Sequence, residues 1–284
     1  MKVLVLGATG MLGNVMFRTL SENNNMEVFG SVRAKKYAKF FSKSISNRLI
    51  ECKDVTNTNN LTKIFNNVQP EIVINCISLS KKNLKTSDPL LMIPIYALLP
   101  HQLSKLCKIY DSRLIHISTD GIFSGSKGNY RENDPSDAQD LYGISKFMGE
   151  VKSSHTISIR TSIIGHEIKE KKGFLEWFLS QNISCKCFEK AIFSGFPTVV
   201  LSEIIRDVII PRPDLSGILN VSSKPISKCE LMHLIAKIYG KDIKIISDKS
   251  KKMNRSLNSN LFLSTTGYNV PDWPSLVQKM KLYK

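Results

Sequence analysis

The sequence lacks any arrangement of cysteines that would staple a fold or hold a metal. Its six cysteines, at 52, 76, 107, 185, 187 and 229, show neither a disulfide framework nor metal-ligand spacing. The close pair Cys185-Lys-Cys187 has no histidine near it, and Cys76 and Cys107 lie in apolar segments as small core residues. That excludes a disulfide-stapled secreted domain and a structural zinc site, and it suits a reducing compartment. No apolar run reads as long enough to span a bilayer and no signal-peptide pattern opens the chain, so a cytoplasmic protein without a membrane span is expected. Acidic residues are scarce: 24 Asp and Glu stand against 40 Lys and Arg, a net charge of +16 that favours anionic partners. The lysines are scattered, in short groups such as Ala34-Lys35-Lys36, Lys81-Lys82, Lys169-Glu-Lys-Lys172 and Lys249-Ser-Lys-Lys252. No aromatic-interleaved basic stripe or nucleic-acid motif accompanies them, so nucleic acid is not the expected partner; most of the charge is a solvated surface and a minority faces an anionic substrate.

What is present begins at the first residue. Val3-Leu-Val-Leu6 is an unbroken apolar run, as in a parallel strand buried on both faces. It enters the glycine-rich turn Gly7-Ala-Thr9-Gly10-Met11-Leu12-Gly13, and a helical segment, Asn14 to Leu20, follows. Gly7 allows a tight turn, Gly10 lets a backbone approach a diphosphate, and Gly13 lets the helix pack close to the strand. The helix N-terminus then offers unpaired N–H groups to phosphates. The spacing is G-x-x-G-x-x-G, and its position between strand and helix gives it weight.

Strands and helices alternate through the first half, the pattern of a doubly wound α/β sheet. Glu27 to Arg33 reads as a second strand with no acid at its tip; Arg33, with Lys35 and Lys36 beyond, favours the 2′-phosphate of NADPH over the free ribose of NADH, which is the alternative. Leu49 to Val55 reads as a third strand ending in Asp54-Val55, Glu71 to Ser78 as a fourth with a polar end from Asn75 to Ser80, and Arg113 to Asp120 as a fifth ending in Ser118-Thr119-Asp120. Pro94 to Ile109 is a helix candidate, and the long loop Gly121 to Asp140 reads as functional.

Then comes Tyr142-Gly-Ile-Ser-Lys146. On a helix these two residues are i and i+4 and share a face. An ammonium close to a phenol is expected to lower the phenol's pKa and make it a usable acid near neutral pH.

Together, Gly7/Gly10/Gly13, Ser118-Thr119-Asp120, Tyr142-x-x-x-Lys146 and Arg160-Thr161-Ser162 resemble an extended short-chain dehydrogenase/reductase. The closest resemblance is to the dTDP-4-dehydrorhamnose reductase branch, through Gly128-Asn-Tyr130-Arg-Glu132-Asn-Asp-Pro135 and Arg255-Ser-Leu-Asn258-Ser259. The resemblance implies a Rossmann-type doubly wound parallel sheet over residues 1–158. A smaller mixed α/β substrate lobe would occupy 159–284, partly interleaved with it. It implies NAD(P)H-dependent reduction of the 4-keto group of a nucleotide-activated 6-deoxysugar, dTDP- or UDP-linked, for surface-polysaccharide synthesis; the chain does not fix its oligomeric state, and a homodimer is one possible assembly. By the same match Tyr142 would protonate the developing alkoxide, Lys146 would hold the nicotinamide ribose, and Thr119 would hydrogen-bond the carbonyl. Gly7, Thr9, Gly10, Met11, Leu12, Gly13, Arg33, Asp54, Val55, Asn75, Ile77 and Ser118 would join Tyr142 and Lys146 around the cofactor. Asp120, Thr198 and Arg255 would meet the sugar nucleotide. No metal is implied.

Two positions depart from the family pattern. Gly121-Ile-Phe123 stands where a Tyr-Val-Phe type of sequence is usual, and Tyr96 stands where relatives often place an asparagine. Two other readings share the motifs: a sugar-nucleotide epimerase or dehydratase that regenerates its NAD internally, and an NADP-binding regulatory protein without turnover. Glycine after Thr119-Asp120 leaves no acid pair of the dehydratase kind, Arg33 favours exchangeable NADPH, and retention of Tyr142 and Lys146 argues against a regulatory role. His166 reads as a structural or positioning residue, and Trp177 and Phe174 as core.

Overall fold

The computed structural model describes residues 1–79, 87–169 and 171–283; Ser80, the Lys81-Lys82 pair and Glu170 lie outside them. The apolar opening run forms β1 (Lys2–Leu6). Val3 and Val5 point into one core cluster and Leu4 and Leu6 into another, so both faces of the strand are covered. Six more strands join it in one parallel sheet: β2 (Glu27–Val32), β3 (Leu49–Glu51), β4 (Ile72–Asn75), β5 (Arg113–Ile117), β6 (Thr156–Arg160) and Gly217–Asn220. Their order across the sheet is Gly217–Asn220, β6, β5, β4, β1, β2, β3. The winding reverses between β1 and β4, and at such a switch point the strand ends leave a crevice. The fold is the expected doubly wound α/β sheet. The boundary expected after residue 158 falls inside β6, and Gly217–Asn220 returns to the same sheet.

The third strand is shorter than the sequence suggests. Asp54 turns the chain by accepting hydrogen bonds from the Thr56 backbone N–H (2.9 Å) and hydroxyl (2.7 Å), which places Asp54 and Val55 in the loop beyond Glu51. Asn57 then caps the helix Thr58–Val68 through Asn59 N–H. The helix expected from Pro94 starts earlier and runs over Pro89–Ile109, with a wide π turn at Pro94–Leu98. Pro94 and Pro100 have no N–H to contribute to the regular ladder there. With 21 residues this helix is apolar enough to cross a membrane by length and composition, contrary to the sequence expectation; half of that stretch is buried within the fold.

Beyond β6 the chain builds small sheets: Ser184–Phe188 with Lys244–Asp248, and Ala191–Phe193 between Ile226–Ser227 and Met253–Asn254. A capping box of Ser227 and Glu230 starts the helix Lys228–Tyr239, which ends at Gly240 in the left-handed region (φ 70°). Two expectations are corrected here. Cys187 and Cys229 form a disulfide, with Cα atoms 4.9 Å apart. They come from different elements 42 residues apart, a proximity that cysteine spacing does not reveal. Trp177, read as core, is 40% exposed, because the helix Phe174–Ser180 turns Leu175 and Phe178 inward instead.

One buried ion pair joins the parts. Arg160, at the end of β6, is 2% exposed and grips Glu150 through two hydrogen bonds of 2.8 and 2.7 Å. It also donates to the Glu132 carbonyl (3.0 Å), and Ser118 donates to Glu150 (2.8 Å). The pair therefore ties β5, β6 and the loop that carries Glu132. Removing one partner of a buried pair leaves the other charge uncompensated. Glu150→Ala should lower the unfolding free energy by about 3–5 kcal/mol in a urea titration; an unchanged midpoint and slope would show that the pair does not hold these elements together.

Candidate functional site

The strand ends at the switch point open into a cleft of about 860 Å³. One wall is the turn after β1. Gly7 has φ 82°, a left-handed conformation that favours glycine, and a Cβ on Gly13 would overlap the Gly7 carbonyl oxygen. Gly10, exposed at the N-cap of the helix Met11–Ser21, would meet protein only at ordinary contact distances, so the missing side chain leaves open space over the helix N-terminus. No acidic residue stands in that helix's first turn. An uncovered row of N–H groups at the end of a three-turn helix, inside a cleft, fits a diphosphate.

The end of β2 is fastened to this turn. Gly7 N–H donates to the Ser31 hydroxyl (3.0 Å) and Ala8 N–H to the Ser31 carbonyl (3.0 Å), so Ser31, Val32 and exposed Arg33 border the cleft. Asp54 and Val55 line the same end, and the Thr56 hydrogen bonds hold the Asp54 carboxyl below its ordinary range. Arg33 therefore sits where a cation can meet a nucleotide ribose substituent.

At the other end lie Thr119, Tyr142 and Lys146. Asp140 caps the helix Leu141–Met148 by accepting from Gly143 N–H (2.8 Å), and this sets the helix so that Tyr142 and Lys146 face the cleft. The Thr119 hydroxyl accepts from Gly121 N–H (3.0 Å), and it acts on the nearby Tyr142 phenol in the direction that lowers its pKa. Lys146 is 5% exposed and donates to the Ile117 carbonyl at 2.7 Å. Burial lowers its pKa to about 8 against the opposing pull of Glu150.

The phenol does not behave as the i, i+4 spacing suggests. Burial pushes the Tyr142 pKa up, and the Tyr96, Asp120 and Asp140 neighbours act in the same direction. The cation that was expected to pull it down is directed to the Ile117 carbonyl. A phenol held protonated in this way can still donate its proton. The two family departures meet at this ring: Tyr96 lies perpendicular to it at 5.3 Å between centroids, and a Cβ on Gly121 would come within 3.0 Å of Tyr142 Cε1.

Of the other sequence candidates, Thr9, Met11, Leu12, Ile77 and Ser118 border the cleft. Asn75 sits behind it, 2% exposed, donating to His116 Nδ1 (3.1 Å) and accepting from Ile77 N–H (3.1 Å). Asp120 hydrogen-bonds Thr119 at 3.3 Å and lies in the field of Arg255. Thr198 is buried under Gly165, whose missing side chain its hydroxyl replaces, and it does not border the cleft. His166 is held by Glu176 (2.8 Å) and Tyr239 (3.1 Å), a structural role. Sequence reading missed Tyr37, Leu90, Leu91, Ile95 and the Glu167–Lys169 stretch, all of which line the cleft. Only Lys35-Lys36 beside Tyr37 hinted at one of them; the others are brought in by topology.

Burial raises the Asp120 pKa to about 6. The folded state therefore holds this proton more tightly than the unfolded chain, and the associated stability, complete below about pH 4, is lost as pH rises through about 6. Urea midpoints of the wild type minus those of Asp120→Asn should fall between pH 4 and 6.5; a constant difference would contradict the shift.

The sequence model of the RmlD substrate binding domain family matches residues 1–278. The "Probable low-salt glycan biosynthesis reductase Agl14" of Haloferax volcanii is 30% identical over 155 residues, 53% of this chain and 48% of that protein. The beta subunit of methionine adenosyltransferase 2 from Xenopus laevis is 25% identical over 149 residues, 52% of this chain and 41% of that one. The chain thus spans about half the length of the curated relatives it matches. A crystal structure of dTDP-4-dehydrorhamnose reductase from Bacillus anthracis in complex with NADP superposes with a TM-score of 0.78 at 20% identity, covering 99% of this chain and 98% of that one, which establishes the shared fold.

Proposed function

For a chain that belongs to the RmlD substrate binding domain family, we propose reduction of a 4-keto group on a nucleotide-diphosphate 6-deoxysugar, with NADPH as the preferred cofactor. The observation that carries this reading is the joining, in one cleft, of an uncovered helix N-terminus with the Thr119–Tyr142–Lys146 group. A bound reduced nicotinamide supplies the hydride. Gly7, Thr9, Gly10, Met11 and Leu12 would hold its diphosphate, and Arg33 its 2′-phosphate. Tyr142 keeps its proton until a developing alkoxide takes it, Thr119 holds the carbonyl oxygen beside that phenol, and Lys146 supplies positive charge nearby. Asp120 and Arg255, which interact electrostatically with each other, would meet the substrate, and an arginine fork suits a sugar-linked diphosphate.

The relative named a probable low-salt glycan biosynthesis reductase supports reduction as the chemistry. The match to the beta subunit of methionine adenosyltransferase 2 raises a second reading, a subunit that binds the cofactor without turnover. The retained Tyr142, Lys146 and Thr119 favour the enzyme.

NADPH oxidation against a panel of dTDP- and UDP-linked 4-ketosugars should show turnover on one nucleotide series, reduced about a hundredfold or more in Tyr142→Phe. Tight NADPH binding with no oxidation on any member would favour the second reading. In the same preparations Arg33→Ala should weaken NADPH binding about tenfold and leave NADH binding nearly unchanged; equal losses for both would remove Arg33 from 2′-phosphate recognition.

A further inference from the structure

Tyr96 occupies a place where its size is conspicuous. It is 1% exposed, in the π turn Pro94–Leu98, directly behind the cleft. Its hydroxyl accepts from Leu79 N–H (2.9 Å) and pairs with the Ser78 hydroxyl (3.0 Å), two residues that line the cleft beyond β4. Its ring lies perpendicular to Tyr142, and the Lys146 ammonium sits 5.4 Å from its centroid.

We propose that Tyr96 is a positioning residue: its ring carries the Lys146 ammonium and abuts Tyr142, while its hydroxyl anchors the Ser78–Leu79 wall, so that one side chain sets the arrangement of all three. A buried cation needs compensation, and Lys146 has one direct acceptor, the Ile117 carbonyl. The other ionisable groups facing Lys146 do not supply a nearby free anion. Glu150, at the end of its own helix region, is engaged by Arg160 and Ser118. Cys76, beyond β4, is held as a thiol, its pKa pushed up to about 12 by burial. His116, on β5, is kept neutral by burial and by Lys146 itself. Tyr142 is held protonated. A π face supplies attraction to a cation without a carboxylate, and the attraction strengthens with desolvation. An asparagine at this position would lack both the ring face and the reach of the phenol.

Where it concerns turnover the inference rests on the reductase reading; the titration of Lys146 does not. The test follows the Lys146 Nζ resonance by heteronuclear NMR across pH, assigned by its loss in Lys146→Arg. Tyr96→Phe keeps the ring and should keep the wild-type midpoint. Tyr96→Leu should lower it by about one pH unit, because removing the ring destabilises the charged form. Should the leucine variant fail to fold, pentafluorophenylalanine at position 96 preserves the shape and reverses the ring's charge distribution, and should lower the midpoint relative to Tyr96→Phe. Identical midpoints in the phenylalanine and fluorinated proteins, or a shift in Tyr96→Phe as large as that in Tyr96→Leu, would overturn the proposal. A shifted midpoint in a protein that binds NADPH but oxidises it on none of the ketosugars would support the role of Tyr96 and reject the reductase reading instead.

Discussion

A lysine ammonium buried at the end of a parallel sheet is the constraint around which the site is arranged. Lys146 is 5% exposed and donates to the Ile117 carbonyl at 2.7 Å. Taking such a charge out of water is unfavourable unless polar groups or π faces meet it. The Ile117 carbonyl stands at the last residue of β5, at the edge of the cleft. Tyr142 comes one turn earlier on the same helix and is thereby fixed near Thr119, at the start of the loop after β5.

The same region is held from behind by Arg160 and Glu150. Their bidentate contact joins the end of β6 to the segment after the Leu141–Met148 helix, and Ser118 adds β5 through Glu150. The long loop is drawn in through the Glu132 carbonyl, and Glu132 accepts in turn from Asn220 N–H at 3.0 Å on the outermost strand. Thr119, Tyr142 and Lys146 thus stand on segments that these contacts tie together. At the other end, Ser31 locks β2 to the glycine turn. The cleft has the open N-terminus of the Met11–Ser21 helix at one end and the Thr119, Tyr142 and Lys146 side chains at the other.

Much of this was legible because the decisive groups are local in sequence. The turn from Gly7 to Gly13 announces itself by a strand before it and a helix after it, and Tyr142 with Lys146 by helical spacing. Thr119 follows from its place at a strand end. What spacing could not supply was direction: the shared face of Tyr142 and Lys146 suggested a lowered phenol pKa, whereas the ammonium points to a carbonyl and burial raises the phenol. Contacts between distant segments were also hidden. Lys169 reaches the cleft from beyond β6 and sits 3.4 Å over the Tyr37 ring, and Cys187 finds Cys229 across 42 residues. Thr198 looked like a substrate residue beside a loop, yet the missing Gly165 side chain lets it pack inward.

Net hydride transfer from an exchangeable reduced cofactor to a sugar carbonyl, the proposed reaction, leaves an isotopic signature in the product. Reduced cofactor carrying deuterium at the transferable position is incubated with the 4-ketosugar, and the product is weighed by mass spectrometry. Reduction predicts one deuterium in each product sugar and one oxidised cofactor released for each. A sugar that changes without label and without net cofactor oxidation would contradict reduction and indicate internal redox cycling.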